Sequence, residues 1–234
     1  GGEPTLRKDL VEIYRLLPEC LPALTGASFI SHGMQTAKAV DFYTSINEHY
    51  RRHRLEFSGM ISLDGVESVH DAIRGRKGAF DAATKTLLGL KQAGVRVIAA
   101  CTLVRSNVYG LHDLLAWGQK HGIYVRFRVA EFIRRLYNDT CAPEIRCFSN
   151  QELRHLVCFF HVLITEYETD DAIRRTYSSI LELLTGGERL IACPYQRGMA
   201  VNINSRGELA ACAPKGDSVA LQDDEPAMHA TLTA

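Results

Sequence analysis

Three groups of residues in this sequence have the types and spacing for chemistry. Gly1-Gly2-Glu3-Pro4 opens the chain. Two glycines let a ligand approach the backbone closely, and a helix starting after Pro4 would offer free N–H groups. The Glu3 carboxylate can pair with an ammonium group. The second group is Ile61-Ser62-Leu63-Asp64-Gly65, followed by Val69-His70-Asp71-Ala72-Ile73-Arg74-Gly75. Taken singly, Ser62 is a strand residue, Asp64-Gly65 a turn and His70-Asp71 a helix cap. The third group is Cys193, then Gly207-Glu208-Leu209-Ala210-Ala211 leading into Cys212. Thiolates are soft, anionic ligands that suit iron.

Alternating strand and helix signals must position these residues. Leu6, Leu10, Ile13, Leu16 and Leu17 recur at helical spacing behind Pro4. Ala27 to Ser31 reads as a strand ending at His32-Gly33, and Thr36 to Arg52 as a helix. Leu55 to Leu63 is a strand ending in Asp64-Gly65. Ala79 to Ala93 is a helix stopped by Gly94. Val95 to Val104 is an apolar strand, Leu111 to His121 a helix closed by Gly122, and Ile123 to Ala130 a further strand. Units of this kind predict an α/β fold with a parallel sheet and right-handed crossovers. Periodicity alone leaves an open sheet and a barrel both possible.

Beyond residue 135 the pattern changes. Asn138 to Asn150 reads as a loop carrying Cys141 and Cys147. Gln151 to Tyr167 and Asp170 to Leu184 read as helices, and Leu190 to Cys212 as short strands with turns at Arg197-Gly198 and Arg206-Gly207. The last residues are small or polar and acidic, as in a disordered tail.

Composition narrows the function. In 234 residues, Lys plus Arg and Asp plus Glu both number 27, so no net charge favours nucleic acid or an anionic membrane. The longest apolar stretch, Leu156 to Ile164, is too short to span a bilayer. No signal-peptide pattern begins the chain, so a cytoplasmic location is the default. Seven scattered cysteines fit reduced thiols better than a disulfide framework. Walker A, GxSxG, full GxGxxG and HExxH patterns are all missing from the sequence. Asn107 follows the strand ending in Thr102-Leu103-Val104 and reads as a helix N-cap.

GGEP, then ISLDG and HDAIRG, with Lys77-Gly78-Ala79-Phe80 entering the next helix, together resemble the S-adenosylmethionine (SAM) site of the radical SAM enzymes. The resemblance implies a (β/α)6 barrel, here partial, over residues 1–135. It implies that Gly1, Gly2, Glu3, Pro4, Ser62, Asp64 and Arg74 serve SAM, with the strand from Val125 to Ala130 near the adenine. These groups should converge at one barrel mouth. Residues 136–187 would be a helical insertion. Cys193 and Cys212 resemble the opening of a SPASM domain over 188–213, which binds auxiliary iron–sulfur clusters, and 214–234 would be a tail. Two cysteines cannot supply a four-thiolate site.

In that family a Cys-x3-Cys-x2-Cys loop N-terminal to GGEP holds a 4Fe-4S cluster. SAM binds that cluster, an electron donor reduces it, and a 5′-deoxyadenosyl radical abstracts hydrogen from a peptide or small-molecule substrate. This spacing occurs nowhere in the sequence, and the chain begins inside a motif. The chain is therefore expected to be a fragment, inactive as given. The alternatives are a non-catalytic barrel remnant or binding module that lost the cluster, and an unrelated α/β barrel enzyme.

Overall fold

The computed structural model describes residues 2–132, 138–145, 147–203, 208–210 and 219–220. Gly1 and Cys212 lie outside them, as do the turn expected at Arg206-Gly207 and the tail beyond Ala220. The chain divides into two compact units, residues 2–128 and 129–234.

The first unit is an α/β fold built on a parallel four-stranded sheet. Its strands are β1 (Gly26–Ser31), β2 (Glu56–Ser62), β3 (Arg96–Leu103) and β4 (Tyr124–Val129), in that spatial order. Ser31 pairs with Ile61, and Ser62 with Ala100, so the strand C-termini share one edge. Each strand alternates buried and more exposed residues. Phe57, Gly59 and Ile61 bury one face of β2, and Val97, Ala99, Cys101 and Leu103 do the same on β3. Helices of this unit cover that face.

Those helices are α1 (Leu10–Cys20), α2 (Thr36–Arg52), α3 (Ser68–Arg74), α4 (Ala79–Gln92) and α5 (Leu111–His121). α2 and α4 pack on each other and on β2. Apolar residues at helical spacing do this work: Ala39, Tyr43, Ile46 and Tyr50 on α2, and Ala83, Leu87 and Leu90 on α4, are all buried. Tyr43 stacks on Phe29 with ring centroids 3.9 Å apart and donates its hydroxyl toward the carbonyls of Phe29 and Met60, each at 3.0 Å. It needs Gly59 beneath it, because a Cβ there would sit 2.7 Å from Cε1 of the ring.

Two local expectations change. The helix expected to follow Pro4 directly is a 3-10 turn, Pro4–Leu6, and α1 starts only at Leu10. The reason is the Glu3 side chain, which caps Thr5 and closes the short turn first. His70 and Asp71 lie inside α3 rather than capping it. Asp71 instead accepts the N–H groups of Gly78 at 2.7 Å and Phe80 at 2.8 Å, so it caps α4.

In the second unit, the stretch expected as a loop contains a 3-10 turn, Asn138–Cys141, and a short helix α6, Ala142–Ile145. α7 (Asn150–Val162) opens with a capping box between Ser149 and Glu152. It runs into a π-helical segment, Leu163–Tyr167, and α8 (Asp171–Leu184) follows. Phe160 meets Tyr177 of α8 at 5.8 Å between ring centroids. Short strands β5 (Asn202–Ile203), β6 (Glu208–Ala210) and β7 (Val219–Ala220) pair antiparallel in that order. Leu190 to Val201, expected to include strand, is turn and irregular chain.

Candidate functional site at the C-terminal edge of the sheet

Glu3 is pinned to the end of β1. Its Oε1 accepts from the Thr5 N–H at 3.1 Å, the Thr5 hydroxyl at 2.6 Å and the Ser31 hydroxyl at 2.8 Å. Its Oε2 accepts the His32 N–H at 2.8 Å and lies 3.3 Å from Nε2 of the His32 ring. Burial pushes this carboxyl up, but the hydrogen bonds from His32, Thr5 and Ser31 outweigh it and leave Glu3 below its ordinary value. The Met34 N–H donates to His32 Nδ1 at 2.9 Å, which leaves Nε2 carrying the proton and facing Glu3. The carboxylate thus organises the turn from within. Gly2 is exposed at φ 86°, and a Cβ there would meet no other atom, so its backbone conformation rather than crowding calls for glycine. Pro4 opens the 3-10 turn and its carbonyl accepts from Arg7.

The second motif folds into a tight polar network. Ser62 ends β2 and is half-buried. Asp64 is 2% exposed, with Oδ1 accepting the Thr102 N–H at 2.9 Å and Oδ2 lying 2.6 Å from Arg74 Nη2. The Asp64 N–H donates to His70 Nδ1 at 3.0 Å. Burial of the His70 ring, more than the opposing pull of Asp64, lowers its pKa and keeps it neutral. Among the described residues, His70 Nε2 and Arg74 Nε are buried with no protein partner. Asn107, expected as the cap of the following helix, instead reaches backward. It accepts the Val104 N–H at 2.9 Å and donates to the carbonyls of Asp64 at 2.8 Å and Thr102 at 3.0 Å. Its place just after β3 made it a visible candidate; its bond to the β2 turn had no signal in the sequence.

The sheet therefore brings Gly2, Glu3, Pro4, Ser62, Asp64 and Arg74 to one edge. A cavity of about 1200 Å³ opens at the other end, between the strand N-termini, lined by Ser28, Arg51, Arg54, Phe57 and Arg96 among others. It holds none of the motif residues, so the candidate site is the C-terminal edge, where ligands bind in parallel α/β folds.

That edge suits a ligand with both anionic and polar groups. Among the described residues, Arg74 keeps a buried Nε without a partner, Ser62 is half-buried at the end of β2, and Gly2 is exposed, with nothing within 4 Å of where a Cβ would stand. An iron–sulfur cluster is not matched in the same way. Among the described residues, no group of three His, Cys, Asp or Glu side chains could hold a metal ion. Cys101 is fully buried beneath the site, and burial, with Asp64 nearby, pushes its thiol well up.

In the second unit Cys193 sits in a turn, with Arg197 N–H bonded to its carbonyl at 3.2 Å. The backbone N–H groups of Gln196 and Tyr195 and the side chain of Arg189 lower its pKa against a small burial effect.

No family model matches the chain. Among curated proteins it is 34% identical over 125 residues to the sporulation killing factor maturation protein SkfB of Bacillus subtilis, a match covering 53% of this chain and 28% of that protein. It is 32% identical over 111 residues to the Fe-coproporphyrin III synthase of Methanosarcina barkeri, covering 46% and 25%. It is 31% identical over 128 residues to the mycofactocin maturase MftC of Mycolicibacterium smegmatis, covering 54% and 30%. The matches thus take in less than a third of each relative's length. The structure of native anSMEcpe with bound AdoMet and Kp18Cys peptide matches over 97% of this chain and 73% of that one, with a TM-score of 0.51 at 14% identity. The structural match supports the α/β fold with its parallel sheet. No helix among the described residues is long and apolar enough to cross a membrane.

Proposed function

We propose that the C-terminal edge of the sheet is a SAM site, and that the chain is the SAM-binding part of a radical SAM enzyme acting on a peptide. The relatives imply SAM and a 4Fe-4S cluster as cofactors. The single observation that carries the site is Arg74, held at the edge with a buried, unpartnered Nε. Its guanidinium suits the carboxylate or a ribose oxygen of SAM. The Ser62 hydroxyl can bond the ribose, and the Gly2 backbone can approach the methionyl ammonium. Glu3 shapes that turn and supplies negative potential beside it.

When both cofactors are bound they supply a radical that removes hydrogen from substrate. The chain's own residues bind and orient SAM and shield it. A peptide substrate is supported by two relatives named as a maturation protein and a maturase. Cys193, with its lowered pKa, supports an auxiliary cluster ligand in a SPASM-like segment over 188–213, with Cys212 as its partner. On this reading residues 1–135 are the partial barrel and 136–187 an insertion; the protein is cytoplasmic and draws electrons from a separate donor.

A second reading is a SAM-binding module without catalysis. It needs only the SAM-binding residues of the strand edge and no cluster. Calorimetric titration with SAM tests both readings, and saturable binding is expected. Anaerobic incubation of the chain as given with iron, sulfide, dithionite and SAM should release no 5′-deoxyadenosine. Release would show that other cysteines hold the cluster. No saturable binding would overturn the SAM site.

A further inference from the structure

We propose that Asp64 is a positioning residue of this site: its carboxylate aims the Arg74 guanidinium and makes no contact of its own with the ligand. The inference rests on the reading of the strand edge as a SAM site. It assigns Asp64 a different part from the direct SAM contact that the motif resemblance implies.

Every hydrogen-bonding group of Asp64 already has a protein partner. Oδ1 accepts from Thr102 N–H, Oδ2 faces Arg74 Nη2, the N–H donates to His70 Nδ1, and the carbonyl accepts from Asn107 Nδ2. The side chain is 2% exposed. Turning it toward a ligand would orphan the Thr102 N–H and strip a buried carboxylate of its cation. Arg74 is different: its side chain is 28% exposed, one Nη is anchored, and Nε has no partner. A guanidinium offers five donors in a rigid fork, so fixing one edge of the fork sets the direction of the others.

The surrounding residues make the brace stiff. Asn107 joins the turn after β2 to the end of β3 through the carbonyls of Asp64 and Thr102 and the N–H of Val104. His70 uses Nδ1 as an acceptor, so this nitrogen carries no proton and does not compete with Arg74 for the carboxylate. The charged and titratable groups facing Asp64 are Arg74 and His70 on α3 and the thiol of Cys101 on β3.

A double-mutant cycle in SAM affinity tests this. The full chain, Asp64→Asn, Arg74→Met and the double variant are titrated with SAM, and the melting midpoint of each is recorded. Arg74→Met should weaken binding about tenfold, and Asp64→Asn by about five- to tenfold. The double variant should bind no more weakly than Arg74→Met alone, because Asp64 acts only through Arg74. A residue that merely held the fold would move the melting midpoint without this non-additivity. If Asp64→Asn does not fold, Asp64→Glu, which keeps the charge but shifts the fork, takes its place in the cycle. Full additivity, or wild-type affinity in the Asp64 variant, overturns the positioning role. Absence of saturable SAM binding to the unaltered chain overturns the SAM site itself, so the two failures are distinct.

Discussion

The Ser31 hydroxyl donates to Glu3 Oε1 at 2.8 Å while accepting the Gly33 N–H at 3.0 Å, so one side chain ties the opening turn of the chain to the end of β1. A carboxylate held this way stabilises the fold only while it is ionised. Its pKa is lowered in the folded chain, so its contribution is present above the unfolded value of 4.5 and is lost as pH falls through the lower folded value. Glu3→Gln should therefore lower stability at neutral pH by about 1–3 kcal/mol, as expected for disturbing a buried charged hydrogen-bond acceptor. The difference between the two proteins should shrink as pH drops below 4.5. Urea unfolding at a series of pH values measures this. A gap independent of pH would contradict it.

His70 should impose a second acid sensitivity of its own. Its pKa lies below the ordinary 6.5, mainly because the ring is buried. The unfolded chain therefore takes up the proton first, and stability falls as pH drops below 6.5 toward the folded value. Protonation at Nδ1 would also break its bond with the Asp64 N–H. The protection factor of that amide, with the intrinsic pH dependence of exchange divided out, should fall as pH drops below 6.5 toward the folded value, ahead of the amides in β3. A protection factor that holds steady until the chain unfolds as a whole would count against the arrangement.

Gly59→Ala should destabilise the first unit by about 1–3 kcal/mol through overpacking. The added Cβ would fall 2.7 Å from Cε1 and 2.8 Å from Cδ1 of Tyr43, in a ring already stacked on Phe29. Pairing it with Tyr43→Leu should recover part of the loss, since the ring edge is removed. Thermal melts of Gly59→Ala, Tyr43→Leu and the double variant decide the matter, and an equal cost of Gly59→Ala with and without the ring would refute the packing account.

The sheet could be read from the sequence because β3 is a nearly continuous apolar run and the helices on either side of it, α4 and α5, are followed by Gly94 and Gly122. Local pattern carried that information. The site was legible as a set of motif residues but not as a set of roles. Glu3 and Asp64 look alike in sequence as carboxylates ready for a ligand, yet both turn their oxygens toward protein donors from elements distant along the chain. Asp71 caps α4 from α3, and Asn107 bonds the turn after β2, for the same reason: tertiary contacts chose their partners. The 3-10 turn after Glu3 was hidden because Leu6 fits the helical spacing of α1 while the Glu3 cap closes the chain locally.

The most direct test of the SAM site is an amide chemical-shift map of the isotopically labelled chain during titration with SAM. The C-terminal edge predicts saturable shifts at Gly2, at Ser62 through Gly65, and at Arg74. It predicts little change at Gly26 and Arg96, which line the cavity at the opposite end of the sheet. Shifts centred on Arg51, Arg54 and Arg96, or no saturable shifts at all, would contradict it.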